Sequence, residues 1–309
     1  MRKIFLFFIV LSIITGLGAA AHAQSIKEST GAGDVPVGFS LALTNTFGVN
    51  PDNPLYAIGL APSVKYTFTS LNLTASADLE ISKELTNADY TTLYREIVLS
   101  DTRLRLYKPD IYKHKPTGIA LSGLLALSLP TSKFSQYETK RLGLTIGAGL
   151  MKQLYGFVLA YRLRFGKAFH KYTTAEIKPE NSVSLAVAEA VRAREADLLN
   201  TGLTNIDLAV SNSFSIGYVF FEELVLSTDL AIVNAWAYKI ADDIPRGERF
   251  AFTFNADLSY QPWDHLGFSV GWVNYTPQLR PDSQSYYNPF WVNHYNNYTT
   301  LYLNITGTI

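Results

Sequence analysis

Twelve charged residues share one pattern of placement: Lys65, Asp78, Glu80, Asp101, Arg103, Arg105, Arg141, Arg162, Arg164, Asp207, Asp229 and Asp257. Each falls on the polar phase of a segment in which apolar and polar residues alternate. Charges gathered on one face of a sheet do one of two things. They line a watery passage and select among ions, or they pair across neighbouring strands and hold the structure together. The signs are segregated along the chain. Arg103, Arg105, Arg162 and Arg164 form a basic group, and Asp207, Asp229 and Asp257 an acidic one. Opposed walls of this kind would set a transverse field across a pore. Arg164 and Asp207 also flank the same long connection and are placed to pair, so both readings stand.

Other chemistry finds less support. Nucleophilic catalysis needs a nucleophile, a base and an orienting group within reach of one another. Past the first 23 residues the histidines are His114, His170, His265 and His294. His265 is followed four residues later by Ser269 on the lumen phase, and His294 has Asn293 beside it but no adjacent serine. We assign no catalytic residue. No zinc, EF-hand or phosphate-loop spacing occurs, so no metal and no cofactor is expected. With no cysteine, the chain has no disulfide and no thiolate ligand.

The elements that must carry the charges are strands. Strict alternation gives a strand two different faces. Leu71, Leu73, Ala75, Ala77, Leu79 and Ile81 form one face of a segment, and Asn72, Thr74, Ser76, Asp78 and Glu80 the other. Phe250, Phe252, Phe254, Ala256, Leu258 and Tyr260 do the same against Arg249 to Ser259. Twelve such segments are predicted, at about 38–47, 56–68, 71–83, 93–107, 117–129, 139–152, 156–167, 205–219, 223–239, 249–260, 264–276 and 295–309. Most exceed the roughly 9–11 residues that carry a tilted strand across a bilayer.

The connections alternate too. Thr69-Ser70, the stretches at 153–155 and 220–222, and Gln261 to Asp264 are short. The connections at 48–55, 84–92, 130–138, 168–204, 240–248 and 277–294 are longer. Lys108 to Pro116 is the one long member of the short set. Short turns at one end and long loops at the other suit a membrane barrel, with the short turns periplasmic. Aromatic residues gather at both ends. Tyr66, Phe68, Tyr107, Tyr155, Phe157, Phe220, Tyr260 and Trp263 stand beside the short turns, and Phe47, Phe165, Trp236, Tyr238, Trp272 and Tyr275 near the long loops. Rings of this kind seek the headgroup level. The stretch Ser182 to Leu199, inside the 168–204 loop, is rich in Ala, Leu, Glu and Arg and predicts a helix.

Composition fits a barrel in lipid. Hydrophobic residues are 48% and charged residues 17% of the 309, with 26 basic against 26 acidic side chains. That balance excludes a basic nucleic-acid binder and argues against a disordered chain. Arg2-Lys3, the apolar run Ile4 to Ile14, and Ala21-His22-Ala23 follow the order of a cleaved export signal over 1–23. Residues 24–37 would be a short periplasmic lead, and 38–309 the barrel. The expected fold is all-β: one closed antiparallel transmembrane barrel of about twelve strands. Closure is required because lipid offers no partner to an open sheet edge.

Together, the export signal, the alternating segments, the loop asymmetry and the alternating final strand Leu301 to Ile309 resemble a Gram-negative outer-membrane β-barrel protein. The resemblance covers nearly the whole mature chain. Leu127-Ser128-Leu129-Pro130-Thr131, with the alternation Leu142 to Gly147 beyond it, bears a slight resemblance to outer-membrane transporters linked to aromatic-compound degradation. Barrels of this class usually end on an aromatic residue, whereas this chain ends on Ile309. The resemblance implies outer-membrane lipid, small solutes and the barrel-assembly machinery as partners. The expected function is a narrow porin-like channel. A surface-interaction barrel with an occluded lumen is the alternative, and a lipid hydrolase a more distant one.

Overall fold

A computed structural model describes residues 36–49, 54–86, 95–177, 199–221, 223–241, 246–277 and 299–309. The expected export signal, all but the last residue of the helix expected at 182–199, and most of the loop at 277–294 lie outside these residues, and Leu199 begins a strand. Among the described residues there are sixteen strands: β1 Val37–Gly48, β2 Tyr56–Phe68, β3 Leu73–Asp78, β4 Ile81–Glu84, β5 Ile97–Leu99, β6 Thr102–Lys113, β7 Ala120–Leu129, β8 Lys140–Leu154, β9 Phe157–His170, β10 Thr174–Ile177, β11 Leu199–Thr204, β12 Ile206–Phe221, β13 Leu224–Ala237, β14 Glu248–Trp263, β15 Leu266–Pro277 and β16 Thr299–Thr308. β10 and β11 pair only with each other. The other fourteen form one antiparallel sheet in which β3 with β4, and β5 with β6, each make one stave. The result is a closed barrel of twelve staves.

Closure is direct. β1 pairs with β2 along one edge and with β16 along the other. Phe39 and Ile309 exchange both backbone hydrogen bonds at 2.9 Å, so the seam is zipped to the last residue. Every stave thus has two neighbours, which is what a backbone in lipid demands.

The two faces are chemically opposite. Phe39, Leu41, Leu60, Val64, Leu104, Leu106, Ile146, Leu150, Phe165, Phe214, Ile216, Ile232, Leu258, Val270 and Leu303 all point outward and are exposed. A water-soluble surface rarely carries so wide an apolar band, whereas a lipid-facing one must. Inward positions are small: Ala42, Ala61, Ala160, Ala209, Ser211, Ser213, Ala231, Ala235, Ala251 and Ser259 are buried. Staves of 10–17 residues at about 3.3 Å per residue, tilted about 40°, reach across the hydrocarbon layer. Twelve staves about 4.8 Å apart at that tilt give a barrel roughly 24 Å across between backbones.

Register shifts interrupt the alternation in several strands, one of them at Asp207, and three lie on the fourth to sixth staves. In the fourth stave, Ile81 pairs with Leu99 but Asp78 with Arg103, so Ser100 and Asp101 include one residue too many. The bulge is stitched to the neighbouring stave, since Ser100 N–H donates to Glu80 O at 2.8 Å and Glu80 N–H to Ser100 Oγ at 2.7 Å. It turns Asp101 inward while Ile97 and Leu99 stay on the lipid side. A wider shift follows between Lys108 and Tyr112. There β6 runs on to Lys113, with Pro109 in the shifted stretch, so the expected nine-residue connection shortens to a turn over 114–119. The third shift lies at Arg141, between Lys140 and Leu142. β9 also extends to His170, into what the sequence marked as loop, and the β10–β11 hairpin stands within that loop.

At the long-loop end, Lys133–Tyr137 forms a short helix, α1, with Ser132 as its N-cap. Lys133 Nζ meets Glu96 Oε1 at 2.5 Å, which ties the helix to the loop before β5. Burial works against the Lys133 charge, but the Glu96 carboxylate and Tyr137 outweigh it and hold the ammonium above the usual lysine range.

Candidate functional site

The inward charges divide into a central cluster and several outlying groups. The cluster begins on the third and fourth staves. Register sets Asp78 opposite Arg103 and Ser76 opposite Arg105. Arg105 reaches diagonally, donating from Nε at 2.9 Å and from Nη2 at 2.5 Å to Asp78 Oδ1. Arg103 stands in the field of Asp78, Glu80 and Asp101, with Arg105 opposing it. A row of alternating signs thus lies along two adjacent staves, because each inward position is two residues from the next.

The second half of the cluster comes from the seventh to ninth staves. Arg162 Nη1 donates to Ser215 Oγ at 3.1 Å and faces Asp229 Oδ2 at 3.5 Å. Ser215 Oγ donates to the same Asp229 oxygen at 2.5 Å. Ser215 is the register partner of Asp229, so the serine bridges the arginine to the carboxylate one stave further on. Arg164 lies in the field of Arg162 and Asp229 and also of Arg105 and Arg103. The four arginines therefore share one region of the lumen, although they enter from staves separated by β7 and β8.

Water reaches this region. Arg105 is 30% exposed, Arg162 24% and Asp229 23% in their side chains. Tyr107 shares the phase of Arg103 and Arg105 and is 37% exposed. Its ring was expected in the headgroup girdle, but it stands close enough to Arg162 to act on its charge. The phase of β6 up to Lys108 decides this: Leu104 and Leu106 face lipid, so Tyr107 faces inward.

The remaining sequence candidates sit apart. Asp101 is held by four donors: Lys140 Nζ at 2.7 Å, Ser135 Oγ at 2.6 Å, Ser128 Oγ at 3.0 Å and Ser132 N–H at 3.1 Å. The Lys140 and Asp101 side chains are 1% and 2% exposed. This pair joins the barrel wall to α1 rather than facing a passage. At the neighbouring bulge Arg141 is exposed, and Lys140 occupies the inward place the alternation assigned to Arg141.

Asp207 does not pair with Arg164. It is buried at the start of β12, with Lys167 on one oxygen and Arg246 Nη1 at 3.3 Å on the other. Asp257 is almost fully buried and accepts from Ser259 Oγ and, at 2.9 Å, from Tyr302 Oη. Tyr302 reaches it across the whole of β15, because the residue between them is Gly271. A Cβ on Gly271 would lie 2.6 Å from Tyr302 Oη and 2.3 Å from Ala256 O, so only glycine fits there. Lys65 lies flat over Gly38, near the short-turn end. The expected acidic wall of Asp207, Asp229 and Asp257 is thus not continuous, since each carboxylate is engaged separately and only Asp229 joins the arginines.

The hydrolase candidates are not assembled. His265 sits in the turn before β15, while Ser269 is buried and accepts from Asn304 Nδ2 at 3.3 Å. Among the described residues no group of three His, Asp or Glu is placed to hold a metal ion.

No family model matches the chain, and no curated protein matches it. Solved structures do. An outer membrane channel from Pseudomonas putida F1 superposes with a TM-score of 0.55 at 11% identity, covering 90% of this chain and 97% of that one. The fold is that of an outer-membrane β-barrel. Two further barrels of this kind align more loosely and carry no weight. They are the loop L8 deletion mutant of OmpT from Vibrio cholerae (TM-score 0.39, 6% identity, 88% and 99% coverage) and OmpF of Salmonella typhi in complex with daunomycin (TM-score 0.37, 9% identity, 88% and 97% coverage).

Proposed function

We propose that this outer-membrane barrel is a passive, porin-like channel for small polar or charged solutes. The observation that carries the proposal is the partly exposed cluster of Arg103, Arg105, Arg162 and Arg164 on an inner face where small side chains are frequent. A barrel serving only as a scaffold gains nothing from charges left partly in water, whereas a selective passage needs them. The apolar outer band supports a place in the outer membrane, reached through the export signal expected at 1–23 with the help of the assembly machinery.

The test is single-channel conductance of the refolded mature protein in a planar bilayer, with the reversal potential read in a salt gradient. Discrete, reproducible steps are expected, with anions preferred. A folded, heat-modifiable barrel that stays electrically silent overturns the proposal. The separate β10–β11 hairpin favours a second reading, a surface-interaction barrel. In that case removing the hairpin would abolish partner binding and leave conductance unchanged.

A further inference from the structure

We propose that Arg164 anchors a binding site for a small carboxylate anion inside the barrel, between the seventh and fourth staves. The inference rests on the channel reading and deepens it by naming the solute class. It starts from the partners of the four arginines. Arg105 is taken by Asp78, and Arg162 by Ser215 and Asp229. Arg103 stands among Asp78, Glu80 and Asp101. The Arg164 side chain makes no hydrogen bond or ion pair among the described residues, although a guanidinium has five donors to satisfy.

The local charge count has the same sign. Asp101 is committed to Lys140, which leaves four guanidiniums against the carboxylates of Asp78, Glu80 and Asp229. Among these seven side chains one positive charge is in surplus, Lys65 on the same ladder row as Arg105 adds to it, and an anion would offset it.

The floor beneath Arg164 is bare. Its register partner on β8 is Gly147, and that of Arg162 is Gly149. A Cβ on Gly147 would lie 3.2 Å from Arg164 Cγ, so the arginine stem lies directly on the β8 backbone. That stretch of β8 carries no inward side chain, and the next inward neighbours towards Arg103 and Arg105 are Leu124 of β7 and Tyr107 of β6, which make an apolar rim beside the Arg164 fork.

The planar fork of a guanidinium matches the two oxygens of a carboxylate. The apolar rim beside the fork suits the carbon end of a carboxylate better than it suits phosphate. Binding at such a site must stay weak enough for the solute to leave again.

The experiment uses the refolded mature barrel in a planar bilayer in potassium chloride, with potassium acetate added. Acetate is expected to reduce the chloride conductance saturably. R164Q should raise the half-blocking concentration about tenfold, which corresponds to about 1.4 kcal/mol. R164K keeps the charge but loses the fork and should fall between. Heat-modifiable gel mobility confirms that both variants fold. Conducting channels in which acetate shows no saturation, or in which R164Q leaves the half-blocking concentration unchanged, overturn the site and leave the channel reading standing. Phosphate acting at an equal or lower concentration than acetate overturns the carboxylate preference.

A folded barrel that does not conduct overturns the channel reading. The site is then read by saturation-transfer NMR on acetate with the detergent-held protein. A signal lost in R164Q supports the site, and equal signals, or none, in both proteins overturn it.

Discussion

At the scale of single residues, the barrel interior shows how a small side chain in one place licenses a large one elsewhere. Tyr302 can lie over β15 because Gly271 presents nothing but backbone, and its hydroxyl then donates to the buried Asp257 alongside Ser259. Removing a partner from a buried charged acceptor costs about 1–3 kcal/mol. Y302F should therefore lower stability by about that amount, seen as a lower urea midpoint for loss of the heat-modifiable form. G271V, which forces the ring itself away, should cost more. The same reasoning explains why Asp257 cannot be read as a pore charge from its phase alone. Phase decides on which face a side chain starts, but not what lies over it.

At the scale of elements, the joint between wall and loop is made by one buried ion pair. Asp101 is turned inward by the bulge after β5 and meets Lys140 together with the N-terminal turn of α1. Breaking a buried pair by removing one partner leaves an uncompensated charge and costs about 3–5 kcal/mol, whereas replacing both can be nearly neutral. K140M alone should thus destabilise the barrel strongly, and D101L/K140M should recover only part of the loss in the same urea unfolding measurement, because Ser128 Oγ, Ser135 Oγ and Ser132 N–H lose their acceptor. If K140M proved as stable as the wild type, the joint would not depend on the pair.

At the scale of the whole molecule, selectivity follows from where charge stands relative to water. The arginine cluster is partly exposed, so its field is screened by salt. The Debye length falls from about 30 Å at 0.01 M to about 3 Å at 1 M, against a lumen that is at most roughly 24 Å between backbones. Anion preference measured from reversal potentials should therefore be strong in dilute salt and fade towards 1 M. A preference independent of salt would point to a steric or hydrogen-bonded filter instead.

The sequence by itself determined the architecture. Alternation with a period of two sets the lipid face and the lumen face of each stave, and Leu104, Leu106, Ile146 and Leu150 stand on the outer face the pattern assigns them. The count of twelve staves followed from the same repeat, because a membrane admits no unpaired edge. Tertiary structure decided the register. The extra residue at Ser100–Asp101 and the shift at Arg141 are invisible in an alternating string, since a bulge moves a side chain by one place without changing its type. That is why Lys140, rather than Arg141, fills the buried place. Tyr107 shares the arginine phase, a signal the sequence did carry and its position beside a turn obscured. Which charges meet is likewise a matter of closure. Arg162 finds Asp229 because register sets Ser215 between them, and Arg164 stands near Arg103 and Arg105 because the sheet curves and turns the inner faces of the fourth and seventh staves towards one another.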